Sequence, residues 1–301
     1  FVLFNRDRAD AILADEGIDV LIASSRENVE YLSGHRNPTH DLMKNAVILA
    51  LYAPASAQPG CSIIPRLEAE TFIASRTWIE DLCLVGAFRR APAETPDIDE
   101  MGQAVRDLIA GAASAASSID GLYDALERRG LLAARIAIDE TGITPLVWSA
   151  IAARLPNARI VPAGDLFLKI RMIKTPEEID RLRQSSRVAE RAVERALRAL
   201  RPGMTDLDLL REYHHGVVEG DALPSFAMFA SGSATAQPHL LTSGRSIARG
   251  DLIRWDVGCT YASYHSDTAR AVSFGEPTDS QKRIWDLLST GVEAALDLAR
   301  P

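Results

Sequence analysis

Residues 172–200 read MIKTPEEIDRLRQSSRVAERAVERALRAL, and this stretch divides the chain. Thr175 stands where an N-cap belongs, Pro176 takes the first helical position, and Glu178 follows three residues after the cap. That is the pattern of a capping box, in which the cap hydroxyl and the acid each satisfy a free backbone N–H. Ile179, Leu182, Ser186, Ala189, Val193, Ala196 and Leu200 recur at helical spacing and predict one face of small and apolar residues. RPGM ends this helix, and Thr205 caps the next, in TDLDLLREYHHGVVEG. The sequence differs in kind on the two sides of this region, so two domains are expected, residues 1–168 and 169–301.

The first of them alternates helical and strand patterns. Asn5 can cap a helix through Glu16 that Gly17 ends. IDVLIAS (18–24) reads as a buried strand, followed by a short helix to Gly34. AVILALY (46–52), GCSIIP (60–65), EDLCLVG (80–86) and RIAIDE (135–140) read as further strands. Helical segments lie at RLEAETFIASRTW (66–78), at about 99–130 with a loop at GAASAASSID, and at LVWSAIAARL (146–155). Such alternation implies an α/β layer domain. The second domain places its helices first and then a β-rich block, PSFAMFASG, GDLIRWDVG and TARAVSFG. A last helix starts at Thr278 with Gln281 completing another capping box, and carries Ile284, Leu287, Leu288, Gly291, Val292, Ala295 and Leu298.

Bulk properties narrow the function classes. A net charge of −8 lacks the basic face of a nucleic-acid protein. No apolar run approaches the roughly 20 residues of a membrane span, and FVLFNRDRAD lacks the layout of a signal peptide. Cys61, Cys83 and Cys259 are odd in number and show no CxxC spacing, which suits buried thiols in a reducing, cytoplasmic setting. The chain opens on Phe1 rather than Met, so a preceding segment is expected to have been removed or left out.

Chemistry concentrates in WDVGCTYASYHSD (255–267). Ile253, Trp255, Val257 and Cys259 fall on one side of a strand, Arg254, Asp256 and Gly258 on the other. A tight hairpin around Tyr261–Ala262 would set Asp256 directly opposite Asp267, with Cβ atoms about 5 Å apart, where like charges destabilise a sheet. Three arrangements offset that repulsion: one acid protonated, both acids in water, or a cation between them. Two carboxylates on rigid strands suit a hard divalent ion such as Mn²⁺ or Mg²⁺.

The stretch PSFAMFASGSATAQPHLLTSGRSIARGDLIRWDVGCTYASYHSDTAR resembles the metallopeptidase family of Xaa-Pro aminopeptidases, prolidases, methionine aminopeptidases and creatinase. The upstream IKTPEEIDRLR and RPGMT resemble that family's entry helices, and GIDVLIASSRENVEYLSG resembles its creatinase/prolidase N-terminal domain. The resemblance implies an α/β (α+β) architecture: a creatinase/prolidase-like α/β domain followed by the first half of a "pita-bread" catalytic domain. It implies that Asp256 and Asp267 are metal ligands, the second bridging two ions, and that His239 of QPHLL contacts substrate and aids proton transfer or carbonyl stabilisation. Arg270 then takes a supporting role behind the second ligand, although Ala269 and Ala271 replace the threonines of the common pattern. The implied cofactors are two divalent ions, manganese first, with cobalt or zinc as alternatives. The implied substrate is a short proline-containing peptide, and the implied assembly a homodimer.

The family completes its site with a histidine and two glutamates, and no histidine follows Asp267. VERALRALRP (193–202) and VEAALDLARP (292–301) match at six of ten positions, 99 residues apart. The echo is either chance between Ala-rich helices or the trace of two related halves, and the second reading makes this chain an inactive fragment of a longer peptidase. A metal-free creatinase-like C–N hydrolase and a non-enzymatic binding protein of the same fold are the alternatives. Adjacent His214 and His215 point about 100° apart on a helix, which favours packing. His265 either borders the site or is structural, and His40 in a first-domain loop is a candidate substrate contact.

Overall fold

The computed structural model describes residues 3–43, 46–75, 77–88 and 99–300, which form two compact units, Phe1–Glu177 and Glu178–Pro301. Each is built for its own core.

In the first unit α1 (Arg6–Asp15) has the expected Asn5 cap, its side chain accepting from the Arg8 N–H. After β1 (Val20–Ala23), α2 (Arg26–Ser33) is capped by Ser25 and closed by Gly34 at φ 75°, a left-handed position that glycine takes without cost. There follow α3 (Pro38–Leu42), β2 (Leu49–Tyr52), β3 (Gly60–Pro65), α4 (Ala69–Ala74), β4 (Asp81–Val85), α5 (Glu100–Gly111), β5 (Ala113–Ala115), α6 (Ser118–Glu127), β6 (Arg135–Ile138), α7 (Pro145–Arg154), β7 (Arg159–Pro162) and α8 (Gly164–Arg171). The strands form one mixed sheet in the order β5-β4-β3-β2-β1-β6-β7. The β1–β2 and β2–β3 pairs are antiparallel and the others parallel. Val20, Ile22, Leu49, Leu51, Ile63, Ile136 and Ile138 pack against Leu122 and Leu126 of α6 and Ile151 of α7.

Three expectations need correction here. The Ala/Ser-rich stretch is not a plain loop: it supplies the edge strand β5, whose small residues leave no β-branched signature in the sequence. The helix expected over 66–78 ends at Ala74, and its Arg76 lies outside the described residues. The first-domain loop that carries His40 contains a short helix, with Pro38 in its first turn and Asn37 as its cap. Residue 168, the boundary expected from the sequence, lies within α8.

The second unit packs α9 (Pro176–Ala199) and α10 (Asp206–Glu219) on an antiparallel sheet of β8 (Leu223–Ser231), β9 (Leu252–Tyr261), β10 (Tyr264–His265) and β11 (Thr268–Ser273). Strand β9 is central, with β8 on one edge and β10 and β11 along the other. The buried face of α9 is Ser185, Val188, Ala189, Ala192, Val193 and Ala196, rotated from the expected one. Ile179 and Ser186 are exposed, because the face carrying Val188 and Ala192 is the one that meets Gly216 of α10 and Gly220 at its C-cap. At Gly216 of α10 a Cβ would stand 2.8 Å from the Ala192 Cα, so the two helices cross at near-backbone contact. Leu209, Tyr213, Phe229, Ile253, Trp255, Val257 and Cys259 fill the space between helices and sheet. Thr205 forms a capping box with Asp208, as does Thr278 with Gln281 at the start of α11 (Asp279–Leu298). None of the residues of α11 is buried.

Candidate metal centre on the open face of the second unit

Strand β9 has two distinct faces. Ile253, Trp255, Val257 and Cys259 are at most 5% exposed and belong to the core, while Arg254, Asp256 and Gly258 alternate with them on the other face, as the sequence predicts. Across the ladder Asp256 is flanked by Met228 of β8 and Ala269 of β11.

The hairpin register differs from the expected one. Tyr261 pairs with Tyr264, His265 with Thr260, and Ala269 with Asp256. The turn is Ala262–Ser263, with φ of 45° and 69°, the pair of left-handed residues typical of a two-residue type I′ hairpin. It sits one residue further along than expected, and that slides the pairing by two. Asp267 lies in the break between β10 and β11, directly before the Thr268–Val257 pair, so it no longer stands opposite Asp256. The direct repulsion implied by the expected pairing is absent. The case for a cation rests instead on Asp256, on the outward face of β9, and the exposed Asp267 just before β11.

Between β10 and β11 the ladder is broken at Ser266. Its N–H donates to the Cys259 carbonyl at 2.9 Å, while the Cys259 N–H turns to Ser266 Oγ at 3.1 Å. This turns the Ser266 carbonyl towards Gly258. A Cβ at Gly258 would lie 2.5 Å from Phe226 Cε1 and closer still to that carbonyl oxygen. Glycine is thus required for the close approach of the Phe226 ring and the Ser266 carbonyl to β9. Cys259 itself is fully buried, with Sγ 3.3 Å from the Ser185 carbonyl, as befits an inert thiol.

His239 is exposed, in a turn after the short 3-10 helix Gly232–Ala236. The long connection from Gln237 to Asp251 is held at several points. Arg254 Nη1 donates to the Pro238 carbonyl at 3.0 Å and Nη2 to the Gln237 carbonyl at 2.8 Å. Thr242 Oγ accepts from the Phe229 N–H at 2.9 Å, and the buried Asp206 accepts from the Gly244 N–H at 2.7 Å. Arg245 joins Ser231 Oγ at 3.0 Å to the Asp251 carboxylate at 2.9 Å, and that ion pair holds the Asp251 acid below its usual range. The sequence analysis did not single out Arg254 or Arg245. A polar residue in the alternation of β9 two places before Asp256 was the available signal for the first.

The structure sets Asp256 on the outward face of β9, leaves Asp267 in the break before β11, and puts Arg270 on the other side of the alternation from Asp256. Arg270 is in register with Trp255, on the other side of the strand alternation, and donates to the neighbouring Ala269 carbonyl at 2.7 Å. His265 is exposed, with Nδ1 3.0 Å from Thr260 Oγ1. His214 and His215 stay on α10, where His215 lines a surface hollow of about 400 Å³ with Arg201 and Arg211. In the first unit His35, Asn37, Thr39 and Glu68 form a buried polar cluster. His35 Nε2 lies 3.0 Å from Thr71 Oγ1, and burial lowers its pKa to about 4. Both ring nitrogens of His40 are buried without a hydrogen-bond partner among the described residues, and burial lowers its pKa too.

Among the described residues no group of three or more His, Cys, Asp or Glu side chains is placed to hold a metal ion. Asp256 on β9 and Asp267 at the entry to β11 are nonetheless hard oxygen donors, so they fit part of a site for a hard divalent cation.

Known proteins show the same organisation. Residues 6–173 match the Creatinase/Prolidase N-terminal domain, and residues 180–301 match Metallopeptidase family M24. The chain is 29% identical over 295 residues to the "Probable dipeptidase PepE" of Mycobacterium tuberculosis (strain ATCC 25618 / H37Rv), covering 97% of this chain and 69% of that protein. It is 26% identical over 302 residues to the "Xaa-Pro dipeptidase" of Lactobacillus delbrueckii subsp. lactis, covering 99% and 73%. The crystal structure of the X-Pro aminopeptidase from Thermotoga maritima MSB8 superposes with a TM-score of 0.74 at 22% identity, over 98% of this chain and 72% of that one. The prolidase from Pyrococcus horikoshii OT3 gives 0.67 at 21% identity, over 96% and 71%. The mixed α/β architecture and the creatinase-like first domain are thus as the sequence implied. With its two units matched in order, this chain belongs to the metallopeptidase family M24 proteins that carry a Creatinase/Prolidase N-terminal domain.

Proposed function

We propose that this protein acts in the metal-dependent hydrolysis of short peptides at an Xaa-Pro bond, as a dipeptidase or aminopeptidase. The observation that carries the reading is Asp256 on the outward face of β9, with Asp267 at the entry to β11 and the His239 turn tied to the same face as Asp256 by Arg254. The names of the relatives, a probable dipeptidase and an Xaa-Pro dipeptidase, support the substrate class.

In this reading Asp256 and Asp267 hold divalent metal, manganese first and cobalt or zinc as alternatives. Bound there, such an ion supplies a Lewis acid for the scissile carbonyl and a water of lowered pKa. The chain's own groups do the rest. The carboxylates fix the position of positive charge, and His239 donates a hydrogen bond at the carbonyl or the departing nitrogen. Arg270 is proposed to steady the strand after Asp267 rather than to touch the substrate. Three free, buried cysteines support a reducing compartment, the cytoplasm, for this activity. A homodimer is part of the same proposal, on the family resemblance alone.

Two measurements test it. Titration with Mn²⁺ should show binding that Asp256→Asn and Asp267→Asn each weaken at least tenfold. Any peptidase activity should favour Ala-Pro over Ala-Ala and vanish in both variants. Binding of Mn²⁺ that ignores both substitutions, or equal cleavage of the two dipeptides, refutes the reading.

A further inference from the structure

We infer that Arg254 is the positioning residue of the His239 turn. Its guanidinium spans two consecutive carbonyls, Gln237 O at 2.8 Å and Pro238 O at 3.0 Å, immediately before His239. Its place on β9 is two residues before Asp256, which puts both side chains on the same face, roughly 7 Å apart along the strand. One side chain therefore joins the histidine-bearing turn to the strand that carries the first carboxylate.

The turn needs such a tether. It follows the 3-10 helix Gly232–Ala236 and carries no strand or helix of its own before Thr242. Its other backbone hydrogen bonds are local, Gln237 N–H to the Ala234 carbonyl at 3.1 Å and Leu240 N–H to the Gln237 carbonyl at 3.4 Å. Pro238 has no N–H to offer. Within residues 237–241 the guanidinium fork is thus the side-chain tie to β9, the next tie being Thr242 Oγ to the Phe229 N–H of β8, and arginine suits it. A planar fork can meet two acceptors at once, whereas a lysine ammonium is a point charge on a flexible stem. Arg254 Nε is buried and unpartnered among the described residues, so the head group is committed to these two carbonyls rather than shared with a carboxylate. The strand's other outward position, Gly258, has no side chain to substitute for it.

This inference rests on the proposed function for its consequence, that His239 is held at the reacting carbonyl, but the anchoring is measured without metal or substrate. In the wild-type protein the Arg254 Nη protons should give separate, slowly exchanging resonances; a single averaged signal overturns the inference before any variant is made. In Arg254→Met, which keeps the apolar stem, amide exchange at Gln237 and Leu240, the turn's two hydrogen-bonded N–H groups, should speed up at least about tenfold. Exchange in β8 should not move, and the His239 imidazole signal should shift towards that of a disordered histidine. Arg254→Lys should give an intermediate result, and it serves as the test should the methionine variant fail to fold. Unchanged exchange and an unchanged His239 signal in a folded variant overturn the inference. If Ala-Pro cleavage is measurable, kcat should fall in Arg254→Met more than KM rises, since the turn is displaced while the carboxylates remain. Absence of Ala-Pro cleavage would count against the proposed function and leave the anchoring result standing.

Discussion

Replacing Gly258 by alanine tests how closely the acidic face is built. A Cβ there would lie 2.5 Å from Phe226 Cε1 and nearer still to the Ser266 carbonyl oxygen. The Phe226 ring is partly exposed and can swing aside. The carbonyl is backbone and cannot move alone. It is fixed by the Ser266 N–H to Cys259 bond at 2.9 Å and by the Cys259 N–H to Ser266 Oγ bond at 3.1 Å. Overpacking costs about 1–3 kcal/mol, and each buried hydrogen bond weakened adds about 1 kcal/mol. A loss of about 3 kcal/mol is expected, which for a unit of this size lowers Tm by roughly 10 °C. Urea and thermal unfolding of Gly258→Ala measure it, and the same variant should lose Mn²⁺ binding because Asp267 follows Ser266 directly. Gly291 provides the control, since nothing lies within 4 Å of its added Cβ in the exposed helix α11. There the same substitution should stabilise by about 0.5–1 kcal/mol through helix propensity. If Gly258→Ala costs less than about 0.5 kcal/mol, the geometric reasoning is wrong.

Other consequences are equally open to measurement. Burial holds His35 neutral down to about pH 4, aided by His40 and opposed by Glu68, whereas an unfolded histidine protonates near its ordinary value of 6.5. The unfolded state then binds more protons as pH falls, so stability is full above about pH 6.5 and drops towards pH 4, by about 2 kcal/mol between pH 7.5 and 5. Urea midpoints at the two pH values should show this in the wild type and much less in His35→Gln. Asp139 is fully buried and accepts from the Ser25 N–H at 2.9 Å, Asn28 Nδ2 at 2.8 Å and the Thr141 N–H at 3.1 Å. Burial alone would raise its pKa, but these bonds outweigh that and hold it low. Asp139→Ala strands those donors and should cost about 3–5 kcal/mol by urea unfolding. The double change Ala262→Asn with Ser263→Gly relieves two left-handed positions and should raise stability by about 1 kcal/mol in a thermal melt; a lower Tm would contradict the turn assignment.

Much of the architecture was legible because it rests on local chemistry. Asn5, Thr205 and Thr278 cap helices where their side chains say they should, and Ile253, Trp255, Val257 and Cys259 alternate into the core as read. Edge elements were harder. Strand β7 and helix α8 are short, and β7 has no fully buried residue, so the periodic signal there is weak. The register of the acidic hairpin was not legible either. Ala-Ser lacks the Asn-Gly signature of its turn type, and a turn moved by one residue moves every pair behind it. The rotated face of α9 depended on which small residues the neighbouring helix would press against, information that lies in Gly216 and Gly220 rather than in α9 itself. The Arg254 fork joins residues far apart in the chain through backbone carbonyls, which carry no mark in a sequence.

Surface loops usually tolerate a change in length, because their ends are free to adjust. The Ala262–Ser263 turn is an exception for a mechanical reason. A one-residue insertion there would exchange the inward and outward sides of the strands from Tyr264 to Ser273, turning Val272 away from the core it packs against and reversing the residues around Asp267. A two-residue insertion absorbed by the ladder would restore the sides but slide the two acids by a full strand repeat of about 7 Å. The spacing between residues on β9 and those after the turn is therefore quantised: it changes by whole strand repeats or not at all.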